Sequence, residues 1–461
     1  MRFISAWLPL ATGLTLLIYS GYYAKNALIF TTLPAALMIA GGMRMLLNPD
    51  LRGPQHAALG GVVGALLAFP IALSYGALIA AAMFGVSICA FIASGWFQLH
   101  LQPKLQDIPA PLPNLAYSAK VAVDNAFLSL MAWLAPLPSA TLLTEVVAES
   151  KAAHEIFIKN GWLDKPESYH QQPPEIESCE ITSLRLGGLE CEYLKVESGY
   201  LPPAALPGSD RWLSYTENKT SHALILRRKE PAPWLICVHG FGMGNPKQDF
   251  AAFRAKHIFA TMKVNIALFT LPVHGPRAPK GFNGAKFMAL SPMDFVHAES
   301  QAIWDLRRLI GWIRKQGATK IGISGISLGA YTSAVLASIE DNLDCVIAGV
   351  PPADMMATGD YLASSLERRL MAAAGYDADR DRAIQSVVSP LSLKPRVPHD
   401  CRFMFAATGD QFVPIEQINA LWQHWQQPKI SWCTGGHVSA LMQKAPRTLI
   451  DEAIAKTLCA P

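Results

Sequence analysis

Apolar residues run almost unbroken through the first hundred positions, then give way beyond about Glu145 to mixed apolar and polar patterning. Between Met1 and Pro103 the only charged residues are Arg2, Lys25, Arg44, Asp50 and Arg52. A bilayer span takes roughly 20 apolar residues. Four stretches meet that need, at about 4–22, 27–47, 57–73 and 77–97. The run 57–97 is too long for one span, and Pro70 with Ser74-Tyr75-Gly76 predicts a break in it. A soluble all-apolar core helix would not leave so long a stretch with so few charges. The first stretch follows Arg2 as a cleaved signal peptide would. No clear A-x-A site precedes Lys25, however, and more spans follow, so a retained helix is expected. Gly60-x-x-x-Gly64 predicts a close helix contact.

Loop cations set the orientation of membrane helices. With four spans and an inside N-terminus, Arg2, Arg44, Arg52, Lys104 and Lys120 fall on the inner side and Lys25 alone on the outer. A cytoplasmic C-terminal domain on an integral membrane protein is expected, in the inner or plasma membrane if the chain is bacterial. Residues 109–113 are proline-rich and read as a linker. The segment 116–134 is largely apolar but carries Lys120 and Asp124. It predicts an amphipathic helix on the membrane or on the following domain. A fifth span is the alternative, and it would reverse the topology. A second helix, at about 141–160, leads onward.

From about Cys179 the pattern alternates between short β-rich runs and helical ones. Strands are predicted at 178–186 and 191–196, as a leading antiparallel pair, and at 222–228, 234–239, 264–269, 320–325, 345–349, 402–408 and 429–433. Helices are predicted at 247–262, 292–315, 328–339, 415–426 and 438–458. Such alternation specifies an α/β fold, a mostly parallel sheet with helices on both faces. The expected organisation is a transmembrane region over 1–103, a linker with lead-in helices over 104–170, and a catalytic domain over 171–461. Within the last, 351–400 is long for a strand connection and reads as a lid.

Composition adds little but excludes much. The 461 residues are 51% hydrophobic and 16% charged, with a net charge of +4. No basic run or stripe marks a nucleic-acid partner. The eight cysteines form no C-x-x-C pair. Several sit in apolar runs, so buried free thiols in a reducing compartment are expected. No nucleotide-binding or metal-ligand spacing is present, and neither metal nor cofactor is expected.

The sharpest motif is Gly325-Ile326-Ser327-Leu328-Gly329. A G-x-S-x-G match arises by chance in roughly one chain in eight of this length, so alone it is weak. Its position between a predicted strand and a predicted helix is what a nucleophile elbow requires. Cys237-Val238-His239-Gly240-Phe241-Gly242 ends another strand. There the N–H of Phe241, with that of Leu328, is placed to stabilise an oxyanion, and His239 is expected to hold the loop. Two later strand ends supply the remaining chemistry. Thr408-Gly409-Asp410 ends one, and Gly435-Gly436-His437 follows the last. Ser, Asp and His in that chain order fit a triad, with His437 the general base and Asp410 its orienting acid. Asp354, just after the 345–349 strand, is the alternative acid. His274 and Arg277 end a strand and are candidates for the pocket wall or an anionic head group; the alternative is a loop anchor.

Ser327, Asp410, His437 and the His239-Gly240 loop resemble the α/β-hydrolase superfamily over about 175–460. Within it, His239-Gly240-Phe241-Gly242, Leu271-Pro272-Val273-His274-Gly275-Pro276-Arg277 and Asn160-Gly161-Trp162 are similar to the alpha/beta hydrolase domain-containing 18 family. The N-terminal bundle lies outside that resemblance. It implies a hydrolase without a cofactor and fixes no substrate. A membrane-anchored serine hydrolase of acyl esters, with the bilayer and a lipid-derived ester as its partners, is the expectation. A peptidase or amidase on the same fold, and a non-catalytic membrane scaffold, are the alternatives. Oligomeric state is left open by the sequence.

Overall fold

The computed structural model describes residues 2–23, 25–47, 51–135, 137–203 and 205–460. Asp50 lies outside them, and so do the side chains of Arg2 and Lys25. Packing divides the chain into two compact units. One comprises 1–137, 406–415 and 432–443; the other comprises 138–405, 416–431 and 444–461.

The first unit begins with α1 (Arg2–Tyr23), α2 (Leu28–Leu47), α3 (Arg52–Tyr75) and α4 (Ala77–Leu99). All four are long and apolar enough to cross a membrane. The expected break falls at Ser74-Tyr75-Gly76: α3 runs through Pro70 and ends at Tyr75, before Gly76, whose φ is 91°. Apolar membrane helices tolerate an internal proline because neighbouring groups take up the freed carbonyl. Small residues let the helices approach. A Cβ on Gly60 would lie 2.9 Å from the Pro34 carbonyl of α2, and one on Gly61 2.8 Å from the Ser87 carbonyl of α4.

Next comes α5 (Leu115–Leu134), started by Asn114, whose side chain accepts from the Tyr117 N–H at 2.9 Å. It does not lie free on a surface. Gly95 of α4 has no room for a Cβ because the Ser118 carbonyl of α5 occupies that space. Tyr117, Val121, Asp124 and Leu128 are buried, while Val123, Phe127, Leu130, Trp133 and Leu134 are exposed.

The second unit carries α6 (Ala140–Lys159) and most of a nine-stranded sheet. The strands are β1 (Glu180–Leu186), β2 (Leu189–Glu197), β3 (Thr220–Leu226), β4 (Trp234–Val238), β5 (Asn265–Thr270), β6 (Ile321–Ile326), β7 (Cys345–Gly349), β8 (Arg402–Ala407) and β9 (Lys429–Cys433), in spatial order β1-β2-β3-β5-β4-β6-β7-β8-β9. The first two form the predicted antiparallel pair, and β3 continues it antiparallel onto β5. From β5 through β4, β6, β7 and β8 the pairing is parallel. Strands β3 to β8 are almost wholly buried, as parallel strands covered on both faces must be.

Helices α7 (Ser209–Leu213), α8 (Pro246–Ala252), α9 (Ala255–Ala260), α10 (Pro292–Lys315) and α11 (Leu328–Ile339) connect the strands. Two predicted helices are each broken in two. The 247–262 run is interrupted at Arg254, which adopts φ 52°. The 438–458 run divides into a single turn over His437–Ala440 and a helix over Lys444–Thr457. Pro446 sits in the first turn of the latter, where its missing N–H costs no helical bond. The 351–400 insert folds as α12 (Met355–Leu362), α13 (Ser365–Ala373) and α14 (Ala378–Gln385). The last is tied to α6 through Arg380, whose Nε donates to the Ser150 hydroxyl at 2.7 Å. By contrast α13 has no buried residue. Ile415–His424 is α15, and the two C-terminal pieces are α16 and α17.

Candidate active site

In the second unit, β4 and β6 end side by side, with Val238 paired to Gly325. Ser327 is the residue between β6 and α11, at φ 55°, ψ −119°. A side chain in that region costs about 1–3 kcal/mol, and such strain persists only where the surroundings enforce it. Here the Ser327 N–H donates to the Gly349 carbonyl at 2.8 Å, and its own carbonyl accepts from Ala330 and Tyr331. The flanking glycines are required by space. A Cβ on Gly325 would strike the Gly329 carbonyl, and one on Gly329 the Val238 carbonyl. On the neighbouring loop, a Cβ on Gly240 would lie 3.4 Å from that of Ser327. Phe241 follows directly. Leu328 opens α11, where first-turn N–H groups lack intrahelical acceptors.

His239 holds this loop. Its ring Nε2 accepts from the Leu271 N–H at 3.1 Å while Nδ1 faces the Gly240 carbonyl at 2.8 Å. Burial, with smaller help from nearby cations, depresses its pKa to about 3, so the ring stays neutral.

In the first unit, the residues after β8 and after β9 come together. Asp410 Oδ2 meets His437 Nδ1 at 2.7 Å. The other oxygen, Oδ1, accepts from the N–H groups of Phe412 and Val413, each at 2.9 Å. The Phe412 ring stacks on His437 at 4.9 Å between centroids. Burial alone would lower the imidazole's pKa, but the charge and hydrogen bond of Asp410, with a contribution from Asp124, raise it above its ordinary value.

Asp124 of α5 is the residue that sequence reasoning passed over. Its buried carboxylate accepts from the backbone N–H of His437 at 2.6 Å, of Val438 at 3.1 Å and of Gln411 at 3.2 Å. It thus touches both loops. Gly436 has no room for a Cβ because this carboxylate lies against it. The signal in the sequence was a carboxylate inside an apolar helix, together with glycines immediately before both Asp410 and His437.

Other candidates have different roles. Asp354 caps α12, accepting from Ala357 at 2.9 Å and from the Arg382 Nε at 3.0 Å; the carboxylate on His437 is that of Asp410. Arg277 departs from the expectation of an anionic head-group contact. It is fully buried and paired to Asp305 at 2.8 Å, with further bonds to Asn218 and the Thr270 carbonyl. A guanidinium committed in this way anchors the loop after β5. His274 is buried too, with Nδ1 on the Pro272 carbonyl at 2.9 Å and its ring against those of His239, Phe241 and Phe287. All eight cysteines are free thiols. Among the described residues no cluster of three His, Cys, Asp or Glu is arranged to hold a metal.

The chain matches the family described as alpha/beta hydrolase domain containing 18 over residues 216–358 and 376–458. The interruption takes in α13. An uncharacterized protein of Mycobacterium tuberculosis strain CDC 1551 / Oshkosh is 35% identical over 366 residues, 79% of this chain and 88% of that protein. Its counterpart from strain ATCC 25618 / H37Rv has the same identity and coverage. An alignment of that extent spans α5 and Ser327 wherever it begins. Among solved structures, acetyl xylan esterase 1 from Thermoanaerobacterium sp. JW/SL YS485 is 16% identical, with a TM-score of 0.43 over 60% of this chain and 87% of its own. The chain belongs to the alpha/beta hydrolase domain containing 18 family, within the α/β hydrolases.

Proposed function

We propose that this protein is a membrane-anchored serine hydrolase that cleaves acyl esters, with Ser327 as nucleophile, His437 as base and Asp410 as the acid orienting it. The observation that carries the reading is the 2.7 Å pair of Asp410 and His437, in a chain whose Ser327 occupies a strained strand–helix turn. With its Nδ1–H given to Asp410, the imidazole keeps Nε2 as a base. That nitrogen takes the Ser327 proton as Oγ attacks the acyl carbonyl. The N–H groups of Phe241 and Leu328 stabilise the oxyanion. His437 then returns the proton to the leaving alcohol, and water releases the acyl group by the same steps in reverse order. A fluorophosphonate should label wild-type protein at Ser327 and leave Ser327→Ala unlabelled. Equal labelling of the variant removes the assignment.

A membrane-derived acyl ester is the substrate class that the surroundings favour. Four apolar helices precede the catalytic residues. The exposed face of α5 presents Val123, Phe127, Leu130, Trp133 and Leu134. Phe127 packs on Phe412 at 5.6 Å, and Phe412 on His437. An apolar path therefore leads along α5 to the base. The α13 segment, with Leu366 half exposed, is suited to act as a lid. Lysophospholipid micelles should be hydrolysed in preference to short p-nitrophenyl esters. Replacing Leu130 and Trp133 by Glu should raise KM on micelles alone; equal effects on both substrates would remove the lipid reading. The Lys and Arg distribution favours a cytoplasmic active site, and a reporter fused after Pro461 should be active only there.

A further inference from the structure

The face of α5 formed by Tyr117, Lys120, Val121 and Asp124 follows helical i, i+3, i+4, i+7 spacing, and each member meets one or both of the loops bearing Asp410 and His437. The Tyr117 hydroxyl is 2.8 Å from Thr408 Oγ1. Lys120 Nζ donates to the Thr434 carbonyl at 3.1 Å. A Cβ on Gly409 would lie 2.7 Å from both the Tyr117 ring and the Val121 side chain. Asp124 is at the centre, with its three backbone N–H donors drawn from both loops.

We propose that Asp124 is a positioning residue for the base: its carboxylate fixes the backbone at His437 and Val438 to that at Gln411, and so sets how the imidazole meets Asp410. The proposal rests on the serine hydrolase reading above. A plain structural filler would need neither geometry nor charge here, and Asp124 supplies both. Two of its N–H partners open α16, a one-turn helix whose first N–H groups have no acceptor of their own. The third lies beside Asp410. Gly436 gives up its Cβ to let the carboxylate in. The titratable groups facing this cluster are Tyr117 and Lys120 on α5, Asp410, Cys433 at the end of β9, and His437. Burial and the neighbouring Asp410 push the Asp124 carboxyl up to about 7, against the opposing pull of the imidazole and the N–H donors. Its charge in turn raises the pKa of His437.

The experiment compares full-length wild type with Ser327→Ala, Asp124→Asn and Asp124→Glu in detergent, following ester hydrolysis against pH and thermal unfolding. Asp124→Asn puts an NH2 group where an oxygen accepted N–H bonds and removes the charge. Its kcat should fall by about 10²-fold, the effect of roughly 1 Å of misplacement, with KM little changed. The acid limb of its pH profile should move to lower pH, because the base loses a stabilising negative charge. Asp124→Glu keeps the charge and should leave the acid limb in place while still lowering kcat. Wild-type kcat and an unmoved acid limb in a folded Asp124→Asn overturn the proposal. If Asp124→Asn does not fold, Asp124→Glu decides: reduced kcat at constant KM supports the role, and wild-type kcat overturns it. Full activity in Ser327→Ala would instead overturn the hydrolase reading itself, and the positioning role with it.

Discussion

The proposed nucleophile and the proposed base are supported in opposite ways. The Ser327 turn is shaped by groups close to it in the sheet: Gly325 and Gly329 on either side, Val238 and Gly240 at and just after the end of β4, Gly349 at the end of β7. The loops carrying Asp410 and His437 are held from α5, by residues close to three hundred positions earlier in the chain. One arrangement belongs to the sheet and would come with any chain that builds it. The other has been delegated to the segment that follows the apolar bundle. The loops of Asp410 and His437 are thus where the N-terminal segment meets the proposed site.

The comparison breaks most sharply at the nucleophile. Ser327→Ala should lower ester turnover by about 10⁴–10⁶-fold while thermal unfolding stays near wild type, since backbone bonds and the flanking glycines brace the turn. A large drop in thermal stability would mean that the hydroxyl also supports the elbow.

Asp410→Asn comes next, with a loss of about 10⁴-fold in kcat. The pH dependence sharpens it. His437 must be neutral to accept a proton, and its folded pKa lies above the ordinary value of 6.5. The acid limb of kcat/KM should therefore fall above pH 6.5 in wild type and move to lower pH in Asp410→Asn. Asp354→Asn is the control: it removes a helix cap worth about 1 kcal/mol and should leave the profile where it is. Loss of activity in Asp354→Asn with Asp410→Asn intact would move the acid to the end of β7.

These two sides were not equally legible in the sequence. The strand–turn–helix around Ser327 is local, so spacing and periodicity revealed it, and the nine strands followed from the same local patterns. Asp410 and His437 were found because each ends a strand in the expected chain order. The contacts that Asp124 makes with both loops were invisible. A lone acid in an apolar helix has many explanations, and contacts across such a separation leave no periodic trace. Arg277 was open to two readings, a head-group contact or a loop anchor, for the same reason. A cation at a strand end suggests an anion in a pocket, and only the fold shows that Asp305 of α10 already supplies one.

Arg277→Ala should therefore act on stability, without a head-group effect. Removing one partner from a fully buried pair leaves the other charge uncompensated, at a cost of about 3–5 kcal/mol. Equilibrium unfolding would measure it, and KM values for anionic and neutral esters should change in parallel, if at all. Selective loss of affinity for anionic esters in a stable variant would restore the head-group reading.

The smallest effect should come from Tyr117→Phe. Burial pushes the pKa of this phenol up to about 12, so the hydroxyl keeps its proton. It sits 2.8 Å from Thr408 Oγ1, two residues before Asp410. Removing the oxygen leaves the ring in place against Gly409 and costs one hydrogen bond, about 1 kcal/mol. Thr408 Oγ1 retains the Cys433 carbonyl at 3.3 Å as an acceptor, which limits the loss. Since Tyr117 touches the loop backbone but neither His437 nor its charge, kcat should fall only a few-fold and the acid limb should not move. That separates two kinds of support from one helix face: Tyr117 bears on where the loop lies, Asp124 on where it lies and on the proton affinity of the base. A shifted acid limb in Tyr117→Phe would show that displacement of the loop alone perturbs the imidazole, and the distinct electrostatic contribution of Asp124 would then have to be given up.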